Sequence, residues 1–159
     1  MMVDLSGNQR YLLKLVAYLV IYVFFEAIPH ELGHFVVGTL LGFQVTGVHW
    51  APFDSSFVSF NTVYNPVLFK LVLVAGGWSV CLCSLIIYRL SHDRALRVIS
   101  RIFILYGFFG GLFEALFTHI YNMVQFFSYT ILVLCTVAVF AYDDLSKHFQ
   151  SSVSARADR

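Results

Sequence analysis

Apolar residues in this chain come in long blocks, not in the short alternations of a soluble helix or half-buried strand. The blocks are read at 11–43, 67–88, 101–121 and 124–141. The last three each approach the ~20 residues that a helix needs to cross hydrocarbon. The pattern therefore predicts an all-α polytopic membrane protein with about four transmembrane helices. A straight helix over 11–43 would be about 50 Å long, against a hydrocarbon core of about 30 Å. The stretch Phe25-Glu26-Ala27-Ile28-Pro29 carries no turn chemistry. One long helix kinked near Pro29 is expected, with Lys14 snorkelling at one end and Gly38 and Gly42 loosening the other.

Between the first two blocks the pattern changes period. Gln44-Val45-Thr46-Gly47-Val48-His49-Trp50 and Phe57-Val58-Ser59-Phe60-Asn61-Thr62-Val63 are β-prone and flank the turn residues of Ala51-Pro52-Phe53-Asp54-Ser55-Ser56. A β-hairpin is expected between the first and second helices, at the membrane surface or dipping in beside the site. An unpaired edge there would hold an extended peptide by main-chain bonds. Trp50 doubles as an interface anchor, and His49 is read as a loop residue.

Composition narrows the class. The 159 residues are 59% hydrophobic and 18% aromatic, with only 12% charged, and the mean hydropathy is +0.78. This predicts a single membrane-embedded domain, residues 1–159, with polar tails at 1–10 and 144–159. A net charge of +1 argues against a nucleic-acid partner; the lipid bilayer is the surrounding partner. Cys81, Cys83 and Cys135 all fall in predicted spans and read as packing residues.

Charge then orients the chain. Arg89, Arg94, Arg97 and Arg101 lie in the stretch between the second and third blocks, and Lys147, Arg156 and Arg159 follow the last block. No Lys or Arg occurs in 44–66. The excess of positive charge on cytoplasmic loops places 89–101 and both termini in the cytoplasm, with 44–66 on the far side.

Candidate chemistry sits inside the first block, at His30-Glu31-Leu32-Gly33-His34. On a helix, His30 and His34 lie one turn apart on one face and can share a metal ion. Glu31 sits beside them as a candidate general base. A charged group at mid-membrane costs about 2.5 to 3.5 kcal/mol, so a metal ion offers direct compensation. All three glutamates, Glu26, Glu31 and Glu114, fall in apolar blocks, whereas the loops and tails use only Asp.

A catalytic zinc normally takes three protein ligands. If the first and third helices both run outward, Glu114 reaches the depth of His30 and His34, which makes it the first candidate for the third ligand. His119 is the second, more than a turn nearer the outer surface; Asp143 and Asp144 fall at the opposite end. Glu26 is read as a partner orienting His30. Gly107 and Gly111 make a small-residue spacing one turn before Glu114, and Ala75-Gly76-Gly77 offers a smooth surface opposite.

Taken together, Pro29-His30-Glu31-Leu32-Gly33-His34, the Gly42 and Val45–Gly47 stretch after it, and Leu73-Val74-Ala75-Gly76-Gly77 resemble the site-2 protease class of intramembrane zinc metalloproteases. The resemblance covers about residues 25 to 90. It implies Zn2+ on His30 and His34, Glu31 as general base, and transmembrane protein substrates. The Asn-Pro-Asp-Gly-type motif that carries the family's aspartate ligand has no counterpart: Asn65-Pro66 lacks the Asp-Gly and precedes the second block. Glu114 is read in its place.

The expected function is hydrolysis of peptide bonds in membrane-spanning substrates. The alternative is a catalytically inactive relative that binds transmembrane helices as a chaperone or regulator. Imidazole and carboxylate suit zinc first, with iron and manganese also compatible.

Overall fold

The first hydrophobic block forms two helices, not one, in the computed structural model, which describes residues 7–50, 56–61, 65–117 and 130–143. Helix α1 spans Gly7–Phe25 and α2 spans Ala27–Leu40, with Glu26 between them. Pro29 accounts for the break. It has no N–H to donate to the Phe25 carbonyl, and its ring crowds that same carbonyl. The flanking rungs survive: the Glu26 N–H donates to the Tyr22 carbonyl (2.8 Å) and the His30 N–H to the Glu26 carbonyl (3.2 Å). The kink expected near Pro29 therefore falls one turn earlier, at Glu26.

Gly42 ends α2. Its φ of +84° is a left-handed conformation that side chains disfavour. The Gly42 N–H donates to the Thr39 carbonyl (3.0 Å) and the Phe43 N–H to the Gly38 carbonyl (2.9 Å), the paired closure of a Schellman motif. The chain then turns directly into the expected hairpin, β1 (Gln44–His49) and β2 (Phe57–Asn61), which pair antiparallel from Gln44 opposite Asn61 to His49 opposite Phe57. An irregularity between Val45 and Gly47 leaves Thr46 as the extra residue of a bulge. Phe60 packs where Gly38 has no side chain, and Phe43, Phe60 and Phe69 form an aromatic cluster under the hairpin.

Helix α3 runs Pro66–Leu90. The Asn65 side chain accepts from the N–H groups of Val67 (3.1 Å) and Leu68 (3.3 Å), and Pro66 occupies the first helical position, where a missing N–H costs nothing. Helix α4 runs Arg94–Phe117. It begins two turns earlier than the block at 101–121 suggested. Asp93 caps it, accepting from the N–H groups of Ala95 (2.9 Å) and Leu96 (3.2 Å). The buried stripe Ala95, Val98, Ile99, Ile102 then has helical spacing, while the arginines at 94, 97 and 101 depress the average hydropathy of the same turns. The described part of the last block is a helix, α5, at Thr130–Asp143; positions 124–129 lie outside the described residues.

Helix α3 packs against both α2 and α4, and α1 lies along α4. At one end of the bundle Leu15, Val80, Val98, Ile99, Ile102, Phe103, Cys135 and Val139 form the core. One turn further along, α3 and α4 meet backbone to backbone. A Cβ on Gly77 would collide with the Gly111 nitrogen and the Gly107 carbonyl oxygen, and one on Gly111 with the Val74 carbonyl oxygen. Small residues thus allow the close approach. Three helical stretches, Gly7–Leu40, Pro66–Leu90 and Arg94–Phe117, are long and apolar enough to cross a membrane. Leu12, Val20, Leu82, Leu90 and Leu134, among others, leave their apolar side chains exposed on the outer faces.

Candidate metal centre

Helix α2 carries the two histidines one turn apart, and α3 decides how they sit. A Cβ on Gly76 would collide with the His34 ring and would stand 2.9 Å from His30 Nε2. Only a glycine there lets both imidazoles lie against α3. Gly33 does the same from the other side, because a Cβ there would meet the Ala75 carbonyl oxygen. Ser79 Oγ donates to the Pro29 carbonyl, tying α3 to the start of α2.

The tautomer of His34 follows from its partner. His34 Nδ1 lies 2.8 Å from the Val72 carbonyl oxygen, which can only accept, so Nδ1 carries the proton. In the neutral ring Nε2 then presents a bare lone pair, the form a metal requires. His30 Nε2 lies 3.0 Å from His34 Nε2, and the rings are nearly perpendicular at 87°.

Two carboxylates approach this pair. Glu31 is 7% exposed, and its Oε2 is buried without a hydrogen-bond partner. Donor atoms of His30, Glu31 and His34 all lie within 4.8 Å of one another, a group that can hold a metal ion. Glu114 comes from α4: its Oε2 lies 3.3 Å from His30 Nε2 and its Oε1 3.4 Å from His34 Nε2. Donors held about 2.0–2.1 Å from a tetrahedral ion stand about 3.3 Å apart. The two imidazole nitrogens, 3.0 Å apart, stand near that spacing, and Glu114 turns one oxygen to each of them, at 3.3 and 3.4 Å. The chemistry of the donor set, two imidazoles and a carboxylate, fits a divalent cation.

Of the other expected positions, Glu26 departs from its assigned part. Its Oε1 accepts from the Tyr106 hydroxyl (3.4 Å), its Oε2 has no partner, and its bond to His30 is made by its main-chain carbonyl. The Glu26 side chain therefore reaches α4 through Tyr106. Asp143 pairs with Arg101 (2.8 Å) at the far end of α4, and His49 stacks on Phe57 within the hairpin. His119 and Asp144 lie outside the described residues. Sequence reasoning read Gly76 as part of a packing surface and did not see it as the floor of the site. The Val72 carbonyl and Tyr106 carried no sequence signal.

Comparison with protein-family models, with curated proteins and with solved structures finds no match.

Proposed function

We propose that this chain is an intramembrane zinc metalloprotease, with His30, His34 and Glu114 as the metal ligands and Glu31 as the general base. The observation that carries the reading is the carboxylate of Glu114. It arrives from a separate helix to meet both imidazoles of the His-Glu-Leu-Gly-His turn, one oxygen to each Nε2. A zinc ion held there would supply a Lewis acid that polarises a peptide carbonyl and brings the pKa of water toward neutrality.

The chain's own residues account for the rest. Val72 keeps the His34 lone pair directed into the site by holding the opposite ring nitrogen. Glu31, adjacent in sequence and free at Oε2, is left to do proton work: it takes a proton from water and passes it to the leaving amine. Gly33 and Gly76 let α2 and α3 close around the ligands. The two-stranded hairpin follows α2 directly, and an open strand edge there can hold an unwound substrate segment by main-chain bonds. The substrate class that fits is a membrane-spanning protein segment, because the site lies among three stretches long and apolar enough to cross a membrane.

Metal content of the full-length protein purified in detergent tests the ligand assignment. About one zinc per chain is expected, with at least tenfold weaker retention in His34→Ala and in Glu114→Ala. Undiminished zinc in both variants sinks the assignment. Glu31→Gln should keep its zinc while cleavage of a single-span reporter falls by about 10²-fold or more; turnover at the parent rate would remove Glu31 as the base. Zinc bound with no cleavage of any reporter would favour a helix-binding role over a protease.

A further inference from the structure

Away from the metal centre, α4 and α5 do not close completely on one another. A cleft of about 340 Å³ lies between them, walled by Ile104, Leu105, Ala138 and Val139, with Arg101 and Tyr142 completing its lining. That volume is at the small end for a ligand site, enough for one chain of an amphiphile and not for a bulky polar molecule. The walls are apolar, so their occupant must be too; the guanidinium requires the same molecule to end in an acceptor.

Arg101 is poorly satisfied where it stands. Nη2 donates to Asp143 Oδ2 at 2.8 Å, yet Nε is buried without an acceptor, and the side chain keeps 28% of its surface open. A guanidinium has five donors in a fixed fork, so one carboxylate leaves capacity for a second anion. The surroundings favour that anion. Arg94 and Arg97 precede Arg101 by two turns and one turn on α4, held over the rings of Tyr11 and Tyr88. Arg10, Lys14 and Arg89 belong to the same end of the bundle. Among the described residues its only carboxylates are Asp93, paired to Lys14, and Asp143, paired to Arg101. The balance there is positive.

We propose that this cleft seats one acyl chain of an anionic phospholipid, with its phosphate on the open edge of the Arg101 guanidinium and Tyr142 at the rim. Arg101 stands seven residues, about 10 Å, into α4, where the long apolar run of that helix begins, and clustered Lys and Arg at a membrane face attract anionic lipid. The inference rests on the membrane placement of α4 and not on proteolysis. Arg101 and Glu114 are about 20 Å apart along the helix, so the two sites can be tested separately.

The test titrates the full-length protein in detergent with short-chain phosphatidylglycerol, with phosphatidylcholine of the same chain length, and with inorganic phosphate. Bound lipid is counted by native mass spectrometry and the thermal midpoint is followed in parallel. Both lipids carry the phosphate, but the choline cation is repelled by the surrounding arginines, so phosphatidylglycerol is expected to bind about tenfold more tightly than phosphatidylcholine. Arg101→Lys keeps a cation for Asp143 but loses the fork that holds the phosphate, and should weaken both lipids by about tenfold. Ala138→Phe fills the cleft and should lose both. His34→Ala should keep the preference, which separates this site from the metal centre. Equal affinity of the two lipids in the parent protein, undiminished lipid binding in Arg101→Lys, or a preference lost in His34→Ala would overturn the proposal. So would inorganic phosphate raising the midpoint as much as the lipid, which would mean an anion site with no acyl seat.

Discussion

Two neighbouring layers of this helical bundle are held together by opposite means. Around Phe103, which is fully buried, branched and aromatic side chains from α1, α3, α4 and α5 interlock. Around Gly77 there are almost no side chains between α3 and α4, and the backbones touch. The first kind of packing fills space and tolerates change, because neighbouring rotamers can move. The second has nothing to move. It is found beside the place where His30 and His34 of α2 meet Glu114 of α4, and backbone-to-backbone contact leaves that geometry little room to shift.

The comparison can be broken in either layer. Gly76→Ala should have the largest effect on the site: its new Cβ overlaps the His34 ring, so zinc affinity should fall by at least tenfold, read by competition with a chromogenic chelator. Helix content by circular dichroism should stay unchanged. Phe103→Ala should do the reverse. It opens a cavity at a fully buried site, lowering stability by an amount on the order of 3 kcal/mol, while zinc stoichiometry holds. If Phe103→Ala loses zinc as readily as Gly76→Ala does, the two layers are not separable and the contrast fails.

The smallest effect belongs to the Asp93 cap. Its carboxyl is held below the usual carboxylate range, first by the hydrogen bond from Lys14 and then by the Leu96 N–H. A depressed folded-state pKa contributes stability above the unfolded value and loses it as pH falls through the folded one. Thermal midpoints should therefore drop on acidification below the ordinary aspartate range, and Asp93→Asn should flatten that part of the profile while keeping most of the cap. A profile of unchanged slope would show that the pair is screened out.

Much of this arrangement was legible in the chain. The histidine spacing, the β-prone stretches and the glycine spacing of α4 each rest on local periodicity, which a single sequence displays. Depth matching also brought Glu114 to the histidines. What was hidden depended on three-dimensional juxtaposition. The start of α4 was obscured because arginines share its turns with the buried stripe of Ala95, Val98, Ile99 and Ile102. Pro29 announced a kink, but the strain falls on the carbonyl four residues before it, so the break lies at Glu26. A main-chain carbonyl such as that of Val72 has no signature at all.

The two imidazoles are not equally covered: the His34 side chain is 8% exposed and that of His30 30%. The centre thus has a sealed back, where α3 presses on His34, and an open front beside His30. Water, metal and substrate would all use the same doorway, and a bound segment would act as its own stopper against bulk solvent for as long as it stayed in place.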